Sequence, residues 1–228
     1  MTSEIQDMSR AVVCWLEYKS LTGMNGIFSE ASLAVPIAEF LSRKYHNEIK
    51  SEVRHPTFDK KSDGRPRQID FVREAKGEKR WHAAYECKFE NSSLLDIISD
   101  VCRLLCLSQD KGIPCNDRYF IFARKLGEAN LLFDRESNVE GSRKSRFERI
   151  LLQSKDDLNK KNSFKISDLN EKQKKAFEFF AKKYKCQLPS QIVTKLCGWS
   201  QGSEYACGIW RISSEQGSKL LTFGDDAN

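Results

Sequence analysis

The sequence contains no apolar run that approaches the length of a membrane-spanning helix. Residues 1–7 have neither the basic segment nor the apolar segment of a signal peptide. We therefore expect a soluble protein of the cytoplasm, with no membrane as a partner.

The sequence also lacks the short motifs of several enzyme classes. It has no glycine-rich phosphate-binding loop and no G-x-S-x-G motif, which argues against P-loop nucleotide hydrolases and α/β-hydrolases. The histidines have no metal-binding spacing, and the eight cysteines include no C-x-x-C pair. We expect free thiols in a reducing compartment, with a zinc site at Cys102, Cys106 and Cys115 as a minor alternative that lacks an evident fourth ligand.

Apolar and charged residues are both plentiful. Among 228 residues, 39% are hydrophobic and 31% are charged, which is typical of a globular protein with a substantial core. The formal net charge is +6, and basic residues are concentrated in residues 54–67 and 143–161. Such stretches favour a polyanionic partner, although a solvated protein surface can have the same composition.

Two short strand-like runs contain the residues with the clearest chemical meaning. Residues 67–72 include Asp70, and residues 83–89 include Glu86 and Lys88. Because side chains alternate along a strand, Glu86 and Lys88 share one face. Two carboxylates beside an ammonium group offer hard oxygen ligands to a divalent cation and a charge to an adjacent water. The alternative interpretation is an ordinary cross-strand charge cluster on a solvated face.

This arrangement resembles the PD-(D/E)XK nuclease superfamily, also called restriction-endonuclease-like, over residues 29–124. The resemblance implies that Asp70 and Glu86 bind Mg²⁺, for which Mn²⁺ can substitute, and that Lys88 positions or activates the attacking water. It also implies a central mixed β-sheet flanked by helices in the order α-β-β-β-α-β. Ile69 stands where some members have proline, and many members share this departure.

Apolar periodicity and turn residues predict the secondary structure along the chain. The predicted helices cover residues 8–20, 29–45, 92–109, 143–153 and 168–185, with Ser29 as an N-cap, a capping box at Asp168 and Glu171, and Pro36 disturbing the second helix. The predicted strands cover residues 48–55, 67–72, 83–89 and 119–123, followed by a hairpin of residues 192–199 and 205–212.

The predicted fold class is α/β. We expect a restriction-endonuclease-like core with an N-terminal helix in residues 1–126. An α+β C-terminal extension, made of helices and a β-hairpin, is expected in residues 127–228 and should pack on the core as one domain.

Members of this superfamily often supply a further acid from the first helix of the core. Glu30 lies in register with the apolar stripe that should face the sheet, whereas Glu39 lies off that stripe. An acid at the edge of an apolar stripe needs a cationic partner, either a metal or Lys88. Glu30 is therefore the predicted third metal ligand, and Glu52 on the preceding strand is the alternative.

Other polar residues have weaker signals. Asp96, Asp100 and Arg103 share a face of the helix after the motif and are interpreted mainly as a salt-bridging face. His55, at the end of a strand, is interpreted as a loop residue, with an approach to substrate as the alternative.

The predicted function is that of a metal-dependent nuclease that hydrolyses phosphodiester bonds, with DNA favoured over RNA through the resemblance alone. The residues predicted to bind nucleic acid are Lys60, Lys61, Arg65 and Arg67. Their loop leads directly into the strand that carries Asp70. A homodimer would allow both strands of a duplex to be cut. The alternatives are a nuclease-fold module that binds nucleic acid or a protein without turnover, and a hydrolase of another phosphate compound.

Overall fold

The structure, a computed structural model, describes residues 2–24, 28–58, 67–90, 92–107, 113–126, 150–151 and 155–223, without the side chains of residues 2, 3, 47 and 155. The α-helices in these ranges are α1 (Thr2–Leu21), α2 (Glu30–Tyr45), α3 (Leu94–Cys106) and α4 (Glu171–Tyr184). The strands are β1 (Ile49–Arg54), β2 (Gln68–Glu74), β3 (Trp81–Phe89), β4 (Cys115–Lys125), β5 (Lys161–Lys165), β6 (Leu188–Pro189), β7 (Gln191–Gln201), β8 (Tyr205–Ser214) and β9 (Leu220–Leu221).

A seven-stranded mixed sheet forms the centre of the described residues, in the order β1-β2-β3-β4-β8-β7-β5. β3 and β4 are parallel because the chain crosses over through α3 between them, and the other neighbouring strands are antiparallel. One face of the sheet packs against α1 and α2, and the other packs against α3 and α4. The prediction of an α/β fold with a mixed sheet flanked by helices is therefore confirmed.

The C-terminal half of the chain contributes strands to this same sheet. β4 pairs with β8 from Tyr119 opposite Arg211 to Lys125 opposite Tyr205. β7 and β5 then continue the sheet beyond β8, and the sequence patterns predict no strand at β5. Residues on both sides of the expected boundary at residue 126 thus share one set of backbone hydrogen bonds.

Both faces of β3 are buried, because a layer of helices covers each face of the sheet. Tyr85 and Cys87 belong to the apolar cluster with α1 and α2, whereas Ala84 belongs to the cluster with α3 and α4. Glu86 lies on the same face as Ala84 and has no exposed surface. The alternative interpretation, a charge cluster on a solvated face, is therefore wrong for Glu86.

The ends of two helices differ from the prediction. α1 extends further towards the N-terminus than expected. α4 begins after Asn170, whose side chain accepts a hydrogen bond from the Gln173 N–H, while Asp168 lies in a short 3-10 turn instead of capping the helix. Ser29 does cap α2, with Ser32 as its capping-box partner, and the helix continues through Pro36.

The remaining predictions concern strand positions and one further helix. The four strands predicted between residues 48 and 123 correspond to β1 to β4, with ends that differ by a few residues. The predicted helix over residues 143–153 lies almost entirely outside the described residues. Of the helices that the structure describes, none is long and apolar enough to cross a membrane.

Candidate functional site

Asp70 links β2 to β3 through its side chain. The two strands pair in register as far as Phe71 opposite Tyr85. Beyond that pair, Asp70 Oδ2 accepts a hydrogen bond from the Cys87 backbone N–H at 2.7 Å and one from the Cys87 thiol at 3.2 Å. These bonds hold Asp70 beside Glu86, the residue that precedes Cys87.

Glu86 forms a bidentate ion pair with Arg103 of α3. Arg103 Nε donates to Glu86 Oε1 at 2.8 Å, and Arg103 Nη2 donates to Glu86 Oε2 at 3.0 Å. Arg103 Nη2 also lies 2.5 Å from Asp100 Oδ1. The two α3 residues are therefore part of the candidate site, a role that goes beyond the salt-bridging face expected from the sequence.

Lys88 lies between two carboxylates from different helices. Its Nζ donates a hydrogen bond to Glu30 Oε2 at 2.6 Å and lies 3.1 Å from Asp100 Oδ2. Glu30 reaches this position as the first residue of α2. Glu39 and Glu52 are both exposed, and Glu52 has a left-handed backbone with φ of 50° between Ser51 and Val53, which pair with β2. The described contacts thus connect Glu30 to the motif and leave Glu39 and Glu52 apart from it.

A capping box determines where α3 begins. The Ser93 hydroxyl accepts a hydrogen bond from the Asp96 N–H at 3.2 Å, and Asp96 Oδ2 accepts one from the Ser93 N–H at 3.1 Å. With the start of the helix set, the spacing of Asp100 and Arg103 places both side chains on the face that packs on β3. Asp96 serves as a cap and does not contact Glu86 or Lys88.

The cluster is rich in buried negative charge. It contains the carboxylates Glu30, Asp70, Glu86 and Asp100 and the cations Lys88 and Arg103, which leaves an excess of two negative charges when all are ionised. Burial raises the pKa of Glu86 well above its usual value despite the ion pair with Arg103. Burial likewise raises the pKa of Asp100 to about 6, against the opposing effect of Arg103 and Lys88.

The two cations of the cluster remain charged at neutral pH. Burial lowers the pKa of Lys88, but the neighbouring charges of Asp100 and Glu30 outweigh this effect and raise the pKa above its ordinary value. Burial has the same opposing effect at Arg103, and Glu86 and Asp100 again reverse it. Lys88 is therefore suited to orient a water or a phosphate by its charge, and not to remove a proton from either.

The carboxylates of the cluster suit a divalent cation, but in the structure they are already paired with Lys88 and Arg103. Hard carboxylate oxygens and an excess of negative charge suit Mg²⁺, although Asp100 Oδ2 is already paired with Lys88 Nζ at 3.1 Å. However, Arg103 engages both oxygens of Glu86, and no group of three or more acidic, histidine or cysteine side chains in the described residues is arranged to hold a metal. A metal bound by Asp70 and Glu86 would thus compete with Arg103 for the Glu86 oxygens.

The cysteines do not offer an alternative metal centre. All eight are free thiols, and Cys102 and Cys106 are buried in the core. Among the described residues, no three cysteine, histidine or acidic side chains are grouped so that they could hold a metal.

A cleft of about 320 Å³ opens above Lys88 between α3 and α4. Glu30, Lys88, Asp100 and Arg103 lie along it, and α4 adds Phe179, Lys183 and Tyr184 on the opposite wall. Asp70 and Glu86 do not line the cleft. The sequence predicts helix α4 but gives no indication that it closes this site, because its contact with α3 joins residues far apart in the chain.

Of the residues predicted to bind nucleic acid, only Arg67 can be located. Arg67 is exposed, lines the cleft and lies with its guanidinium carbon 5.6 Å from the centre of the Tyr184 ring. Lys60, Lys61 and Arg65 lie outside the described residues, as does the basic segment that begins at residue 143. Their role in nucleic-acid binding stays a prediction.

His55 forms a hydrogen bond with the backbone of α3 at Arg103. The ring is buried, and its Nδ1 accepts a hydrogen bond from the Thr57 N–H at 3.1 Å. Nε2 therefore carries the proton and donates to the Arg103 carbonyl oxygen at 3.0 Å. Burial lowers the pKa of His55 to about 4, so the ring is neutral at physiological pH. This histidine positions the backbone of Arg103 and is not placed to meet substrate.

The surroundings of Lys88 combine three chemical features. The site has an ammonium group between carboxylates, a second buried ion pair behind it, and a cleft with basic and aromatic side chains above it. Searches with this chain against protein-family models, curated proteins and solved structures found no match.

Proposed function

We propose that this protein is a metal-dependent nuclease with a restriction-endonuclease-like core, which hydrolyses phosphodiester bonds in nucleic acid. The observation that carries the proposal is Lys88, which lines a cleft while it contacts Glu30 and Asp100, with Asp70 and Glu86 on neighbouring strands behind it. DNA is preferred over RNA only through the resemblance to the PD-(D/E)XK superfamily.

The order of elements around the site supports this assignment. α2, β1, β2, β3, α3 and β4 follow one another in the chain in the order that the superfamily core requires. β2 and β3 are antiparallel and β3 and β4 are parallel. This topology brings Asp70 and Glu86 together and lets α3 pack behind them.

Each residue of the cluster has a distinct role in the proposed reaction. Asp70 and Glu86 would hold Mg²⁺, which when bound stabilises charge on the phosphate and favours ionisation of a water. Lys88, protonated, attracts and orients the scissile phosphate or the attacking water. Glu30 and Asp100 keep the Lys88 ammonium group in place and keep it charged.

Cleavage of labelled single-stranded DNA, duplex DNA and RNA in Mg²⁺ or Mn²⁺ tests the proposal. We expect Lys88→Gln and Asp70→Asn each to lower cleavage by at least about 100-fold, because the first removes the charge that orients the phosphate or water and the second removes the charge of a proposed metal ligand. The matched control is Lys50→Gln, since Lys50 is an exposed strand lysine that pairs with Glu74 at 2.7 Å and lies outside the cleft. A Lys88→Gln enzyme with normal cleavage would refute the site.

The bidentate pair of Glu86 with Arg103 favours a second candidate, a nuclease-fold module that binds nucleic acid without turnover. A salt bridge that engages both oxygens of a predicted metal ligand competes with Mg²⁺ for that ligand. Isothermal titration calorimetry, with Mn²⁺ titrated into the protein, separates the two candidates. Binding that Asp70→Asn removes supports the enzyme. Absence of binding, together with absence of cleavage and retained affinity for nucleic acid, supports the module.

A further inference from the structure

The outer face of α4 has a composition that packing does not explain. Its inner face buries Phe177 and Phe180 against the core. Phe179 lies off this stripe and is 50% exposed. Phe179 also lines the cleft that contains Lys88, where an exposed ring is available to stack on a flat ligand.

Lysines surround Phe179 on the same helical face. Lys172, Lys175, Phe179 and Lys183 follow at intervals of three or four residues, which places them in one row along the helix. All three lysines are exposed. This row, which we call the α4 ridge, combines positive charge with an exposed ring.

The aromatic rings at the cleft end of the α4 ridge are held by cations. Lys183 Nζ lies 5.6 Å from the centre of the Phe179 ring and 5.8 Å from the centre of the Tyr184 ring. Arg67 contacts Tyr184 from the β2 side at 5.6 Å. Such cation–π contacts restrict the rings and position positive charge beside them. A flat ring next to a cation is suited to the base and phosphate of one nucleotide.

The charge of the α4 ridge is opposite to that of the cluster beneath it. The residues around Lys88 carry an excess of negative charge, whereas the α4 ridge and Arg67 are basic. A polyanion would therefore be attracted mainly by the basic wall of the cleft, with Lys88 as the cation at its floor. Phosphates on the ridge lysines would guide the chain towards Lys88, which lines the same cleft as Phe179.

We infer that the α4 ridge binds single-stranded nucleic acid, with a base stacked on Phe179 and neighbouring phosphates on Lys172, Lys175 and Lys183. A single strand is required because base pairing and stacking in a duplex hide the face of each base, whereas an unpaired base can stack on an aromatic side chain. The inference names the substrate form for the proposed nuclease, but binding to the ridge does not depend on turnover.

Fluorescence anisotropy with a labelled oligothymidine of about 12 nucleotides in EDTA measures binding without cleavage. We expect Phe179→Leu to weaken binding about 5- to 150-fold, the range for loss of one base–aromatic stack. Phe179→Trp should bind at least as tightly as the unmodified protein. Lys175→Gln should reduce the slope of log affinity against log salt by about 0.7, the value for one phosphate contact on a single strand.

Tyr18→Leu is the matched control for Phe179→Leu. Tyr18 is 61% exposed on α1, on the other side of the sheet, and Lys19 Nζ lies 5.8 Å from its ring centre. It reproduces an exposed ring with an adjacent lysine outside the cleft, and its loss should leave affinity unchanged. Because both rings are largely exposed, neither variant should unfold the protein, which circular dichroism can verify.

The inference is overturned if Phe179→Leu binds the oligonucleotide as tightly as the unmodified protein, if the Tyr18 control loses as much affinity, or if duplex of the same length binds better than single strand. Absence of all nucleic-acid binding also overturns it and points to a protein partner for the ridge. Binding that depends on Phe179 but is never followed by cleavage supports the inference while it refutes the proposed nuclease activity.

Discussion

The two faces of β3 differ in what the helices bring to them. On the face towards α1 and α2, Tyr85, Cys87 and Phe89 pack in an apolar cluster with no exposed charge between them. On the other face, Glu86 and Lys88 meet charged residues of α2 and α3 within a core that is otherwise apolar. Glu86 is as deeply buried as Tyr85 and Cys87, so burial alone does not distinguish the charged face, although Lys88 at its end opens to the cleft.

The comparison shows how differently two buried surfaces depend on their residues. On an apolar face, truncating a side chain lowers the free energy of unfolding in proportion to the volume removed, because the contacts are many and individually weak. A buried charged face depends on complete pairs, because one unpaired ion in a core is far more costly than a missing methyl group. Such a face adds little stability over an apolar one, which suggests that it is retained for chemistry.

The largest expected effect comes from removing one member of the buried ion pair. Arg103→Met leaves Glu86 buried without its cation and should lower the free energy of unfolding by about 3–5 kcal/mol. Urea denaturation monitored by tryptophan fluorescence measures the change. The double variant Glu86→Gln with Arg103→Met should recover much of the loss, since the unpaired charge is gone. If Arg103→Met alone were as stable as the unmodified protein, Glu86 and Arg103 would not form a buried ion pair.

A second prediction concerns His55, which joins the charged face through the Arg103 carbonyl oxygen. The pKa of His55 is about 4 in the folded protein and ordinarily about 6.5, so the unfolded chain binds more protons between these values. Stability should therefore fall as pH decreases from 6.5 to 4, by about 1–2 kcal/mol from this group between pH 7 and pH 5. His55→Gln should show a shallower fall in denaturation experiments across this range. Equal slopes would contradict the burial of a neutral ring.

On the apolar face, a small truncation should have a moderate and purely structural effect. Ile121 of β4 is fully buried opposite α1 and α2, and Ile121→Val should cost about 0.5–1.5 kcal/mol of unfolding free energy. Affinity for oligonucleotide and the rate of any cleavage should not change, because valine keeps this position apolar and Ile121 does not line the cleft. Loss of binding by this variant would show that the two faces are coupled.

The smallest expected effect comes from Asp100. Its pKa is about 6 in the folded protein, above the ordinary value of 3.8, so the folded state binds more protons between these values. The contribution of Asp100 to stability is therefore present at low pH and is lost as pH rises through about 6. Asp100→Asn should remove this decline and change unfolding free energy by about 1 kcal/mol between pH 5 and pH 7. The pH dependence expected from Asp100 is opposite in sign to that expected from His55. Plots of unfolding free energy against pH for the two variants can verify this.

Sequence patterns determine the local parts of this protein. Side-chain alternation places Glu86 and Lys88 on one face, and the register of Glu30 with its apolar stripe predicts a cation nearby, which is Lys88 at 2.6 Å. The Ser29 cap of α2 follows from local hydrogen bonding in the same way. The alternation and the cap depend on residues that are close in the chain and are therefore visible in a sequence, whereas the cation that Glu30 requires comes from a residue 58 positions away.

Only the tertiary structure decides how the distant parts of the chain meet. The pairing of Arg103 with Glu86, the addition of β8 to β4, and the placement of α4 beside the cleft all join segments whose separation in sequence leaves their pairing open. Charged residues such as Arg103 can pair with many acids in an extended chain. The fold selects one partner because burial penalises every charge that is left without one.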